Sequence, residues 1–366
     1  MKYLLDKTDN TPAYLQLYRQ VRDDIVEDIY PYNSKLPSKR TIADELGIST
    51  VTVEHAYALL CDEGYIKTKE RSGYFVIFRT NDGFAASADK NSRHIHVPYH
   101  QASSKSVEFP FSVLTKTMRK VMSDLGDTIL NRSPNTGCLE LRDEISLYLK
   151  RSRGIYAEPE QIIIGSGSEY LYGLIVELLG RNQKYAIESP SYKKIEQVYR
   201  ASDVKYDMLK LGNDGIESSE MWASNADILH VSPYRSFPSG VSASASKRHE
   251  YIRWASKDNR YIIEDDFESE FSVSKKPEET LFTNSAKDNV IYMNTFSKTI
   301  SPALRVGYMV LPKHLVPTFE EKLGFYSCTV PTFIQFVLAE LISNGDFERH
   351  INRVRRQKRK EQTEDK

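Results

Sequence analysis

The chain has 366 residues, 50 Lys+Arg against 50 Asp+Glu, and is 40% hydrophobic and 27% charged. That length suffices for two domains with a sizeable core, and the charge balance excludes a generally basic, histone-like protein while leaving room for a local nucleic-acid face. No apolar run approaches the roughly 18–20 residues of a membrane span, the opening MKYLLDKTDN lacks a secretory-signal layout, and Cys61, Cys138 and Cys328 are too scattered for a disulfide framework or a cysteine zinc site.

In chain order, the first block, residues 1–78, reads as helices followed by a two-stranded ribbon. Tyr18, Val21, Ile25 and Ile29 fall on one helical face. After Tyr-Pro-Tyr comes LPSKRTIADELG, in which Ser38 is a candidate N-cap and Gly47 a helix stop. ISTVTVEHAYALLCDEG then starts a further helix at Ser49, with Val53, Ala56, Tyr57 and Leu60 as its buried stripe. A helix, a tight turn and another helix describe a helix-turn-helix, and YIKTKERSGYFVIF adds two strands around Arg71-Ser72-Gly73, the shape of a wing.

In such a module the second helix enters the major groove with its N-terminal residues at the base edges, here Ser49, Thr50 and Thr52. Ser38, Lys39 and Arg40, at a helix start, suit phosphate contacts, and Lys67, Lys69 and Arg71 place the wing near the backbone or the minor groove. The block carries ten Lys/Arg against twelve Asp/Glu, so its cations must gather on one face. From TPAYLQLYRQ through LPSKRTIADELGISTVTVEHAYALL to SGYFV it resembles the GntR-type winged helix; the Arg that usually follows the recognition-helix Ser is Thr50 here.

Residues 79–105 are polar, rich in small residues and without periodicity, which is linker composition. His94, His96 and His100 within them lack a neighbouring Cys or acidic cluster and read as solvated rather than metal-binding. From 106 onward, helical patterns such as Lys247–Ser256 alternate with the apolar runs in QIIIGSGSE, KYAIESPSY, DILHVSP, RYIIEDDFE, NVIYMNTFSK and RVGYMVLP. That alternation predicts an α/β domain with a mainly parallel central sheet.

Ligands of such sheets lie beyond the strands' carboxyl ends, where this sequence places telling residues. Gly165-Ser166-Gly167-Ser168 feeds a helix N-terminus, a geometry that offers N–H groups to a phosphate. RYIIEDD ends in carboxylates that could be solvated caps, metal ligands or partners of a protonated ring nitrogen. Lys298 follows a strand among Thr295, Ser297 and Arg305, and a lysine held near a carboxylate and phosphate ligands is what a pyridoxal phosphate Schiff base requires.

Here the chain resembles fold-type I aminotransferases, and in particular the MocR-type regulators that join a GntR-like winged helix to such a domain. The motifs FPFSVLTKTMRK, NTGCLELRDEISLYLKRSRGI, IIIGSGSE, AIESPSY, SFPSG, IIEDDFESEF, NTFSKTISPALRVGYMV and GDFERHINRVRR stand in family order. The resemblance implies pyridoxal 5'-phosphate as cofactor, with Lys298 forming the Schiff base, Asp265 pairing with the pyridine nitrogen and Tyr192 stacking on the ring. It also implies that Ser166, Gly167, Ser168, Thr295, Ser297 and Arg305 bind the phosphate. Against the family pattern, the tyrosine of DDY is Phe267, the asparagine of the N-P-x-G turn is Phe237, PSHQ[FY]P is Pro233-Tyr234-Arg235-Ser236-Phe237-Pro238, and an aromatic five residues before Gly137 is Arg132. Family members continue for about another hundred residues, a small C-terminal domain with the arginine for a substrate carboxylate. This sequence stops in RVRRQKRKEQTEDK, expected to be a solvated helix, so 106–366 reads as an aminotransferase-like domain without that small domain.

The function these features imply is a cytoplasmic transcriptional regulator, a homodimer by the resemblance, without residence in a membrane. It would bind an operator in double-stranded DNA and sense an amine, an amino acid or the cofactor itself. The alternatives are a pyridoxal-phosphate-dependent aminotransferase, against which Phe267 argues, and a shortened regulator acting through its DNA-binding domain alone.

Overall fold

The computed structural model describes residues 3–6, 11–69, 72–79, 109–257, 260–272 and 279–364. Most of the linker expectation, with its three histidines, and the wing residue Arg71 lie outside the described residues. Chain contacts fall into two compact units, Met1–Gln101 and Ala102–Lys366.

The first unit holds helices α1 (Ala13–Val26), α2 (Lys39–Leu46) and α3 (Thr50–Asp62) and the antiparallel strands β1 (Ile66–Lys69) and β2 (Gly73–Val76). One apolar face per helix closes the core: Leu17, Val21 and Ile25 from α1, Ile42 and Ala43 from α2, and Val53, Ala56, Tyr57 and Leu60 from α3. Ser38 caps α2 by accepting from the Thr41 amide, and Gly47 ends it in the left-handed region at φ 63°, a conformation glycine adopts without steric cost. One sequence expectation fails. Ile29 does not join the α1 stripe, because the helix stops at Val26 and Asp28 turns the chain at φ 59°, leaving Ile29 exposed.

The second unit is built on an eight-stranded sheet of order β3-β10-β9-β8-β7-β4-β5-β6. Its strands are β3 (Ile162–Gly165), β4 (Lys184–Ser189), β5 (Lys205–Gly212), β6 (Gly215–Ile216), β7 (Ile228–Val231), β8 (Tyr261–Asp265), β9 (Val290–Thr295) and β10 (Gly307–Val310). The run from β5 through β4, β7 and β8 to β9 is parallel, whereas β10 is antiparallel to both β9 and β3. The central strands β7 and β9 are buried along their whole length and β8 at all but its first residue, Tyr261, as expected of a sheet covered on both faces. Helices α4 (Phe111–Leu125), α5 (Leu139–Arg153), α6 (Ser168–Leu179) and α7 (Lys193–Ala201) are among those that cover it, and apolar clusters fill the space on either side.

The basic tail belongs to a helix, Asp346–Glu364, anchored at Phe347, Ile351 and Val354. Beyond Val354 it is largely exposed, although the Arg355 Nε donates to the Glu270 carbonyl and the Lys358 ammonium lies 5.0 Å from the Phe271 ring centre. Among the described residues, no helix is long and apolar enough to cross a membrane, and no group of three His, Cys, Asp or Glu side chains is arranged to hold a metal.

Candidate functional site

In the first unit the candidate DNA residues sit on the start of α2, the start of α3 and the wing. Ser49 caps α3: its Oγ accepts from the Thr52 amide at 3.1 Å and meets the Thr52 hydroxyl at 2.8 Å. The cap turns the first amides of α3 and the exposed Thr50 toward solvent, where a helix start favours anions. Ser38 and Arg40 are exposed, while Lys39 forms a 2.9 Å ion pair with Glu54 of α3, which holds the Glu54 carboxyl below its ordinary range. On the wing Lys67 and Lys69 are exposed, and the Lys69 ammonium lies 4.4 Å from the Phe75 ring centre. Thus the described cations of this block are presented at the surface, in a unit whose total charge is slightly acidic.

In the second unit the parallel register brings the ends of β4, β8 and β9 to one edge of the sheet. The antiparallel β10 lies between β3 and β9 and brings Gly165 to the same edge, since Gly307 pairs with Gly165 on one side and Thr295 on the other. The turn after β3 leads into α6 through Ser166 and Gly167. Gly167 has φ 98°, its N–H returns to the Gly165 carbonyl at 2.8 Å, and a Cβ there would lie 2.8 Å from Arg305 Nη2. Gly167 therefore contributes room, and the amides that open toward an anion are the first ones of α6, from Ser168 on. Arg305 reaches this turn from a left-handed position at φ 51° after the 3-10 turn Pro302–Leu304.

Thr295 ends β9 buried and accepts from the Ser297 amide at 3.3 Å; Lys298 follows in the same turn and is exposed. Tyr192, at the N-cap of α7 after β4, is half-buried with its ring 6.0 Å from that of Phe237. Phe267, in place of the family's tyrosine, is half-buried just past β8. Arg132 is spent elsewhere, on Asn135 and Ser327.

Asp265 ends β8 only 3% exposed. Its Oδ2 accepts from the Tyr172 hydroxyl at 2.5 Å and lies 3.7 Å from His230 Nε2, while Tyr199 meets His230 Nδ1 at 2.7 Å. Its Oδ1 is buried without a hydrogen-bond partner among the described residues. A buried carboxylate oxygen left unpaired is costly, so the arrangement suits a protonated nitrogen brought by a ligand.

Tyr172, Tyr199 and His230, which back this carboxylate, were not singled out in the sequence. The one local signal was a histidine inside the apolar strand DILHV. Glu188, near the end of β4, carries no motif that marks it in the sequence; it accepts from Ser236 Oγ at 2.5 Å and from the Ser232 amide at 3.2 Å. Burial, aided by the nearby Asp265, lifts its carboxyl to about 7 against those hydrogen bonds. On the other side of β8, Asp266 pairs with Arg153 at 2.8 Å and accepts from Tyr292, which makes it a structural neighbour of the site.

The chain matches two families: "Bacterial regulatory proteins, gntR family" over residues 13–76 and "Aminotransferase class I and II" over residues 105–364. It is 34% identical to the HTH-type transcriptional regulator YdeL of Bacillus subtilis, across 97% of this chain and 79% of that protein. It is 26% identical to the probable rhizopine catabolism regulatory protein MocR of Rhizobium meliloti, across 96% and 76%. The fold is also that of the kynurenine aminotransferase of Pyrococcus horikoshii, with a TM-score of 0.61 and 24% identity over 68% of this chain. The chain spans 64% of that enzyme's length, less than two thirds.

Proposed function

Because this chain belongs to the MocR-type transcriptional regulators, a GntR helix-turn-helix joined to an aminotransferase class I and II domain, we propose that its second unit binds pyridoxal phosphate and makes DNA binding responsive to a small amine or amino acid. The observation that carries this reading is the buried, unpaired Oδ1 of Asp265, at the sheet edge that also holds Lys298 and the Gly167–Arg305 cradle.

The residues fit the group. Arg305, the first amides of α6 and the hydroxyls of Ser166, Ser168, Thr295 and Ser297 would hold the phosphate. Asp265 would keep a proton on the ring nitrogen, with Tyr172 fixing the carboxylate's orientation through Oδ2. Tyr192 would cover one ring face. When bound, the cofactor would supply an aldehyde carbon reactive toward primary amines, and Lys298 would be the residue that holds it. An effector would change DNA affinity only if the effector-bound and effector-free protein favour different arrangements.

On the DNA side, Ser49, Thr50 and Thr52 would face base edges while Ser38, Lys39, Arg40, Lys67, Lys69 and Arg71 contact the phosphate backbone. A cytoplasmic homodimer reading two half-sites is the assembly that goes with this scheme. The test is the visible absorption of the purified protein with added pyridoxal phosphate, beside Lys298→Ala. A band present in the native protein and lost in the variant is expected; no Lys298-dependent band would reduce the second unit to a scaffold. Steady turnover of an amino acid would replace the regulator by an enzyme.

A further inference from the structure

The anion cradle at the start of α6 already faces a negative charge of the protein's own. Glu169 is the second residue of that helix. Its Oε2 accepts from Arg305 Nη2 at 2.5 Å, and its Oε1 is paired with the Lys194 ammonium of α7. Burial alone would raise the Glu169 carboxyl, but Lys194, Arg305 and the residue's own backbone N–H outweigh it and hold the group down at about 2. At any physiological pH the carboxylate is therefore ionised. Glu169 is about one-fifth exposed and Arg305 one-half, so the pair lies at the mouth of the cradle.

One of the donors that a phosphate would use, Arg305 Nη2, is thus engaged by a carboxylate in the same place. A helix start, an arginine and a lysine form an anion site of the usual kind. Here the side chain of its second residue serves as the resident anion. A phosphate dianion entering the site must share Arg305 with Glu169 and tolerate that carboxylate nearby, because Arg305 Nη2 lies close against the Gly167 turn.

We propose that Glu169 is an affinity-setting residue that competes with the phosphate of the ligand for Arg305, so that phosphorylated cofactor is held reversibly and its occupancy follows its concentration. This rests on the reading of the second unit as a pyridoxal phosphate site. It goes beyond that reading by giving the site a built-in limit on phosphate affinity.

Glu169→Gln removes the charge and keeps the shape and a carbonyl oxygen for Arg305 or Lys194. Titrations of the full-length native protein and the variant with pyridoxal phosphate, followed by absorbance, should show tighter binding in the variant by roughly tenfold, the scale of one charge-assisted hydrogen bond. Pyridoxal, which lacks the phosphate, should bind the two proteins within about twofold of each other. Unchanged or weaker pyridoxal phosphate binding in the variant, with pyridoxal binding intact, would overturn the proposal and make Glu169 a brace that aims Arg305. If neither compound gives a Lys298-dependent band in either protein, the cofactor reading itself fails. Inorganic phosphate, titrated by calorimetry, then judges the cradle alone: stronger binding to the variant supports competition by Glu169, and equal binding refutes it.

Discussion

The two units handle their polar groups differently. In the winged helix the described candidate contact residues are exposed or half-buried, and the two serines bond within their own helix turn, Ser38 to Thr41 and Ser49 to Thr52. In the second unit the candidate residues are divided: Lys298 and Arg305 are exposed, whereas Asp265 is buried beside His230 of the neighbouring strand, with Asp265 Oδ1 and His230 Nε2 lacking hydrogen-bond partners among the described residues. A surface for a long, hydrated polyanion needs outward donors on a self-sufficient scaffold. A site for a small ligand instead reserves unpaired groups in a dry place for the ligand to satisfy.

The sharpest way to break that contrast is Asp265→Asn. The variant keeps the side chain's volume and an oxygen for Tyr172 but cannot hold a proton on a ring nitrogen. Removing one partner of a buried charged pair costs about 3–5 kcal/mol, so pyridoxal phosphate affinity should fall by roughly a hundredfold or more. Non-specific DNA binding at low salt should stay within about twofold, because its donors lie on the other unit. Equal cofactor affinity would mean that the carboxylate only braces Tyr172.

A second test uses pH. Burial raises the carboxyls of Glu188 and Glu264 to about 7, above their ordinary value of 4.5. Their protonated forms are favoured in the folded state, so the stability each contributes is fully present below about pH 4.5 and is lost as pH rises through about 7. Each accounts for up to about 3 kcal/mol. Hydrogen exchange at β4 and β8 should accelerate between pH 5 and 8 once corrected for the intrinsic rate, and Glu188→Gln or Glu264→Gln should flatten the trend. In the winged helix the shifted carboxyl is Glu54, which Lys39 lowers, so α3 should show no such loss over that range.

What could be read beforehand follows from the same contrast. All of the apolar runs named from the sequence of the second block are strands, because fully buried strands must be continuously apolar. β5 and β6 escaped notice: KYDMLKLG lies near the sheet's margin, half exposed, with charged residues interspersed. The helix-turn-helix was legible in its caps and stripe, local features that a short window contains. Ile29 was misplaced because a left-handed residue at Asp28, not a glycine or proline, ended α1. Asp265, Lys298 and Arg305 stood out through motifs, whereas Tyr172 lies 93 positions from the carboxylate it supports, and only the sheet's crossovers bring the two together.

The smallest expected effect separates capping from reading in α3. Ser49→Ala removes the hydroxyl that accepts from the Thr52 amide, at a cost of about 1 kcal/mol in helix stability. Hydrogen exchange across residues 50–62 should report that loss. Aspartate is also a good N-cap, so Ser49→Asp should preserve the exchange rates. It would, however, place a carboxylate where the groove's acceptors and phosphates approach, and operator affinity measured by fluorescence anisotropy at fixed salt should drop by more than in Ser49→Ala. If Ser49→Asp binds DNA as well as the native protein, the start of α3 does not face the nucleic acid. Base reading must then come from elsewhere on the unit, and the exposed donors described for this helix serve folding alone.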